Sequence, residues 1–269
     1  MMQTFTRRQS GLSIVELLVA LLLSMILITG VLQVFLSSRQ TYTTTESLAR
    51  TQENGRFALE FIAQSARQAG YLEPYLLTTK PRPVAESNCN WPTSADAHCS
   101  TNGAASDRVT FLMQPPLIKD DPSSTGKRRD CAGNEIAENT VIANTFHIAA
   151  ANADNPYPSL ACTTFKVDTP DTYQTVRLVD GVENLQLLYG ISTSGDPLSV
   201  NQYVSADRVG NWSEVSAIRI AVLANSMNRV AAGDETPRNF VLLDSRVNAP
   251  DDGVARQVFS STIRFHNLH

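Results

Sequence analysis

The sequence predicts an α+β fold: one long N-terminal helix packed on an antiparallel β-sheet head, with enough chain for two sheets. Three observations carry this. No proline occurs between residues 1 and 73, and helical patterning runs through most of that stretch. Beyond it the chain reads as short β-rich runs separated by turn residues. No second strong helical pattern follows them.

The first part of the helix is apolar. Leu17 to Ser38 are 22 consecutive uncharged residues, mostly Leu, Ile and Val. At about 1.5 Å per residue they are long enough to cross a hydrocarbon core of roughly 30 Å. Arg7 and Arg8 precede the run and no basic residue lies within it. That bias predicts a cytoplasmic N-terminus, with everything after Arg39 outside the inner membrane. The expected division is a leader over 1–11, a membrane half of the helix over 12–38, an amphipathic half over 39–70 and an exported head over 71–269.

Glu16, at the start of this apolar run, needs a reason. An ordinary cleaved secretory signal does not fit, because the apolar core is too long and no A-x-A-like site follows. A plain single-pass anchor accommodates it, since the helix macrodipole favours a carboxylate in the first turn. The spacing offers a third reading. Gly11 directly precedes the apolar stretch and Glu16 is the fifth residue after it. Cleavage after Gly11 frees an α-amine on Leu12. A carboxylate at the edge of hydrocarbon is costly alone and much less so when paired. The amine of a neighbouring helix of the same kind is a suitable partner, and Glu16 is then an assembly contact.

The second half of the helix is amphipathic. From Glu53 to Gly70, polar Glu53, Arg56, Glu60, Gln64 and Arg67 recur at steps of three or four. Phe57, Ala58, Phe61, Ile62, Ser65, Ala66 and Ala69 fill the other half of the circumference, the face expected in the core. Arg56 and Glu60 form an i,i+4 pair worth a few tenths of a kcal/mol. Gly70 fits a C-terminal cap and Pro74 forbids continuation. Gly55 reads as a weak point, costing about 1 kcal/mol relative to Ala. Gly30 with Thr29 is the expected place for the apolar half to bend. The whole helix spans about Ser13 to Ala69, or about 85 Å.

Residues 71–106 read as loop, interrupted by Pro74, Pro81, Pro83 and Pro92. Strand-like runs follow at Asp107–Met113, Asn144–Ala150 and Cys162–Val167. Residues 174–191 carry two β-rich arms around Asp180-Gly181, a hairpin signal. Residues 213–226 alternate with one slip between Ala217 and Ile218, a candidate bulge. "NFVLLD" and "QVFSSTIRF" close the series, with Phe259, Ser261, Ile263 and Phe265 on one face. The pattern amounts to about eight strands.

Charge and motifs narrow the function. The formal net charge is -4; without residues 1–11, which hold Arg7 and Arg8, 20 basic side chains face 26 acidic ones, giving -6. No basic stripe exists, so nucleic acid is not an expected partner. Four cysteines, Cys89, Cys99, Cys131 and Cys162, all follow the apolar segment. Two disulfides are expected in an exported domain, and a metal site is the alternative, although no C-x-x-C occurs. Of three pairings, closeness in sequence favours Cys89 with Cys99 and Cys131 with Cys162. His98, His147, His266 and His269 are scattered, and no H-E-x-x-H, G-x-S-x-G or phosphate loop occurs. No catalytic residue, cofactor or metal is therefore expected. The acid pairs Asp120-Asp121 and Asp251-Asp252 read as solvated turns, with calcium the alternative. Lys127 to Asp130 reads as a basic surface knot. Asn211-Trp212-Ser213 is a glycosylation sequon in form only. Trp91 and Trp212 are partner anchors or half-buried caps.

Arg7-Arg8-Gln9-Ser10-Gly11 followed by Leu12-Ser13-Ile14-Val15-Glu16 closely resembles the class III signal of type IV pilins and of the pseudopilins of type II secretion. Leu12 departs from the usual Phe. "RFALEFIAQSARQAGY" resembles the helix end of PilW-type minor pilins and of J-type minor pseudopilins, and "LVDGVENLQLLYGI", "VSAIRIAVLANS" and "RQVFSSTIRFHN" resemble, more loosely, later blocks of PilW-type minor pilins. Residues 72–140 carry no usable resemblance. The likeness implies a prepilin peptidase that cuts between Gly11 and Leu12 and methylates Leu12. It implies a pilin-like fold, and a non-enzymatic minor pilin partnered by other minor pilins, the major pilin and the inner-membrane assembly machinery. Such a subunit starts pilus assembly and sits at the tip, passing from the inner membrane to a surface fibre. Whether the fibre serves twitching, adhesion or DNA uptake stays open. A J-type pseudopilin of type II secretion is the alternative, and an anchored periplasmic binding module would keep an uncut N-terminus.

Overall fold

The computed structural model describes residues 13–73, 81–87, 89, 99–118, 126–194, 196, 199–230, 237–250 and 252–268. The chain divides into two units, Met1–Glu46 and Ser47–His269. Helix α1, Ile14–Gln68, contributes to both.

The described part of the first unit is the N-terminal portion of this helix. Its apolar side chains are exposed from Ile14 to Leu36. α1 is continuous through Gly30. The hydroxyls of Ser24 and Thr29 donate to the carbonyls of Ala20 and Met25, at 2.7 and 2.8 Å. Their polar atoms are thus satisfied inside the helix, as an apolar environment requires.

In the second unit α1 packs on β-structure. Twelve strands occur among the described residues: β1 Val109–Met113, β2 Arg128–Arg129, β3 Glu135–Ile136, β4 Ile142–Ala149, β5 Ser159–Lys166, β6 Thr169–Asp180, β7 Val182–Ile191, β8 Gln202–Val204, β9 Val215–Arg229, β10 Arg238–Leu242, β11 Ser245–Ala249 and β12 Val254–Arg264. They form two four-stranded sheets, β1-β4-β5-β6 and β12-β9-β7-β8, and two small hairpins, β2-β3 and β10-β11. All pairings between them are antiparallel. The excess over the eight or so expected strands lies partly in the two-residue β2 and β3 and the three-residue β8, which are too short to show alternation.

One expectation is overturned at Asp180-Gly181. The two arms do not form a hairpin. β6 pairs with β5 and β7 pairs with β9, so the chain passes from one sheet to the other at Gly181. Gly181 has φ +76, and a Cβ there would meet the Asn225 side chain at 2.9 Å. Its N–H donates to Pro158 and its carbonyl accepts from Asn225, one from each sheet's neighbourhood. The Asp-Gly signal correctly marks a positive φ; it does not say which strands then pair.

β9 is buried on both faces. Ile218, Ile220 and Val222 enter the main core, while Ala221 and Leu223 lie under Leu242 of the β10-β11 hairpin. Two-sided burial explains the broken alternation at Ala217–Ile218, which pair with β12 in regular register. The irregularity falls one residue earlier: Gly190 pairs Ala217 and Ile191 pairs Val215, leaving Ser216 extra.

The core lies between α1 and the sheets. Ala58, Ile62, Ala66 and Ala69 meet Phe111, Phe146, Ile218 and Phe265. Phe111 sits edge-on to Phe146 and Phe265, with centroids at 6.0 and 6.2 Å. Alanines let the helix approach the sheets closely. Phe57 and Phe61, expected in this face, are 43% and 40% exposed. The small residues define a narrower buried arc, and both rings fall at its margin. Glu60 pairs with Arg67 at 2.5 Å, seven residues on, in place of Arg56. α1 ends at Gln68, Gly70 follows with φ +73, and Asn267 donates to the carbonyls of Arg67 and Ala69.

Candidate functional site: the N-terminal helix and its head

Gly11 and Leu12 lie outside the described residues. The first helical turn is described. Ser13 accepts the Leu17 N–H at 3.1 Å, so its carbonyl opens the helical ladder and Ser13 occupies the N-cap position. Glu16 stands three residues later, exposed, in the first turn. Ser-x-x-Glu is also the spacing of a capping box, in which the Glu side chain serves the free N–H of the cap residue. That spacing gives the carboxylate a local reading beside the assembly one.

The head carries the remaining chemistry. Disulfides join Cys89 to Cys99 and Cys131 to Cys162, with Cα separations of 5.6 and 6.4 Å. Cys162 is fully buried on β5, so the second bond ties the β2-β3 turn to the centre of its sheet. The first precedes a loop clamped to β7. There Asp107 is buried, and its two carboxylate oxygens accept the N–H groups of Gly103 and Leu187, at 3.0 and 2.8 Å. Ser106 and Asn184 add bonds across the same seam. Burial pushes the Asp107 carboxyl up to about 6; the two N–H bonds oppose this, and Asp244 and Asp207 add to it. Burial raises the Tyr189 hydroxyl, whose ring packs against buried Trp212 at 4.9 Å. Trp212 is a core side chain. Asn211 caps its short 3-10 turn by accepting from Ser213.

The basic stretch at Lys127 to Asp130 is corrected in part. Lys127 and Arg129 are exposed, but Arg128 is buried, donating to the Pro115 carbonyl at 2.6 Å and to Glu73. Strand alternation turns Arg128 inward, where it fastens the segment leaving α1. Asp252 is held by Arg256, which also binds Glu183 at 2.8 Å. That hydrogen-bonded pair holds the Asp252 carboxyl at about 2. His147 lies on β4, and burial lowers its pKa. Asp120, Asp121, Asp251, Trp91, His98 and His269 lie outside the described residues. Among the described residues no group of three or more His, Cys, Asp or Glu is arranged to hold a metal ion.

α1 is long and apolar enough to cross a membrane. Two family models match the chain. Residues 6–32 match the prokaryotic N-terminal methylation motif, and residues 145–267 match PilW, the type IV pilus-assembly protein W. Together the two matches support a type IV pilin of the PilW family. No curated protein matches it. Among solved structures, a type IV-like pilin from Thermus thermophilus is similar at 13% identity and a TM-score of 0.45, covering 81% of this chain and 98% of that one. This pilin is anchored in the membrane by its apolar helix and interacts with pilus-assembly components and the peptidase in general.

Proposed function

We propose that this PilW-family pilin is a minor subunit that primes type IV pilus assembly and sits in the tip complex. It is inserted with its N-terminus in the cytoplasm and its head in the periplasm. Prepilin peptidase cuts between Gly11 and Leu12 and methylates the new amine. Glu16 then meets the amine of a neighbouring subunit, other minor pilins and the major pilin join, and the inner-membrane machinery moves the group outward.

One observation carries the reading: a carboxylate exposed in the first turn of a 55-residue helix whose first half is apolar, five residues after Gly11. In hydrocarbon that charge is costly unless paired. A bulky, disulfide-bonded head suits a cap better than a repeating unit.

The test is a count of surface pili in a deletion strain with its major pilin intact. Sharply fewer pili, restored by the wild-type copy and not by Glu16→Ala, are expected. Normal pilus numbers would overturn the priming role and move the assignment to a secretion pseudopilin, tested next by enzyme release.

A further inference from the structure

The two four-stranded sheets end in β1, β6, β8 and β12. Exposed strand edges invite pairing with other chains, and proteins guard them with brevity, proline, bulges or cover. Three of these four are guarded. The segment beside β1 covers it: Ala85 donates to Thr110, and Leu112 donates to Pro83. β8 has three residues. β6 has 12, but its register with β5 slips twice, and Pro170 stands in the first gap.

β12 has one irregularity, at its start between Val254 and Arg256, and is otherwise without these protections. It pairs with β9 in unbroken register from Arg256 to Arg264. Between those arginines lie seven uncharged residues, Gln257 to Ile263, without proline. Phe265 donates its N–H to Ser216 on the β9 side, so by antiparallel alternation Val258, Ser260 and Thr262 turn theirs away. Among the described residues no strand pairs with that edge. Beside it an open groove of about 530 Å³ is lined by Phe259 and by Ala49, Gln52, Glu53 and Arg56 of α1.

We propose that the free edge of β12 is completed in the assembled fibre by an extended, uncharged segment from the head of a different pilin subunit. A row of outward N–H and C=O groups is chemically complementary to an extended backbone, and the groove takes the alternate side chains. This rests on the assembly reading above. The partner is a different subunit for a geometric reason. β12 runs alongside α1 in the same direction, since Phe259 meets Gly55 and Asn267 meets Arg67 and Ala69. Antiparallel pairing of two copies, the more stable arrangement per residue, would set their α1 helices in opposite directions. Helices anchored in one membrane run the same way.

The experiment uses the full chain in the deletion strain, with a photo-crosslinking side chain at Thr262. A crosslink to another pilin subunit is expected. Ser260→Pro removes one outward N–H and leaves the β9 ladder intact. It is expected to fold and be processed, yet lose at least tenfold of the crosslink and of the protein recovered in sheared pili. Ser261→Pro, which breaks an inward bond, is expected to lose the fold. Should Ser260→Pro fail to accumulate, Ser260→Lys alters only an exposed side chain and carries the same expectation. Wild-type incorporation of the folded variant, a crosslink between two copies of this chain, or no pilin crosslink would overturn the proposal. Normal piliation in the deletion strain would overturn the assembly reading with it, which separates the two failures.

Discussion

The ring of Phe259 lies on Gly55, so close that a Cβ at residue 55 would stand 2.1 Å from its nearest ring carbon. The glycine costs the helix about 1 kcal/mol relative to alanine. Its absence of a side chain lets β12 seat an aromatic ring against α1. Gly55→Ala therefore opposes two effects, better helix propensity and an overpacked contact. Overpacking costs typically 1–3 kcal/mol, so it wins or at least cancels the gain. Denaturant unfolding of Gly55→Ala should show a lower midpoint, and Phe259→Leu in the same chain should recover part of the loss. A raised midpoint for Gly55→Ala alone would contradict this account of the glycine.

How much of this was legible beforehand depends on how local the cause is. Gly70 as a helix end, and Ala58, Ile62 and Ala66 as a buried stripe, follow from spacing along one element. Phe57 and Phe61 do not, because the width of the buried arc is set by how closely the sheets approach. Asp180-Gly181 marks a turn locally, but β6 and β7 choose partners from elsewhere in the chain. Arg128 reads as surface because Glu73, the group that holds it inside, is 55 residues away. The candidate site divides in the same way: the spacing of Glu16 from Gly11 is a property of one short stretch, whereas the open edge of β12 exists only once β9 has paired with its other side.

Arg128 and Glu73 make the second prediction. The arginine side chain is 2% exposed and the glutamate 13%. Removing one partner of such a pair leaves a buried charge, at a cost of about 3–5 kcal/mol. Arg128→Ala should lower head stability by that order. Arg128→Met with Glu73→Leu, which removes both charges, should recover most of it. Equal losses in the single and double variants would show that packing, and not the stranded charge, sets the cost.

Asp107 makes a prediction about pH. Its folded pKa, about 6, exceeds the ordinary value of 3.8, so the folded head holds this proton more tightly than the unfolded chain. The stabilisation from that proton is complete below pH 3.8 and fades as pH rises through 6. The full difference is on the order of 3 kcal/mol, from about 1.4 kcal/mol per pKa unit. Asp252 acts oppositely: its carboxyl, held at about 2, contributes stability that is lost as pH falls below 3.8. Unfolding between pH 4 and 7 should therefore show a falling component that Asp107→Asn removes. The variant should also be less stable throughout, because an amide cannot accept both the Gly103 and Leu187 N–H groups. An unchanged pH slope in Asp107→Asn would assign the titration elsewhere.

Glu16 allows its two uses to be separated. As the third residue after the Ser13 cap, a glutamine serves the helix end nearly as well as a glutamate, since capping boxes take either. As the partner of a neighbour's amine, only the charge suffices. Glu16→Gln should therefore leave the helix, its membrane insertion and cleavage after Gly11 intact, while incorporation into pili falls as far as in Glu16→Ala. The mass of the mature chain and its recovery in sheared pili read the two effects apart. If Glu16→Gln incorporates like wild type and Glu16→Ala does not, the local cap is what assembly needs, and the pairing of Glu16 with a neighbour's amine is wrong.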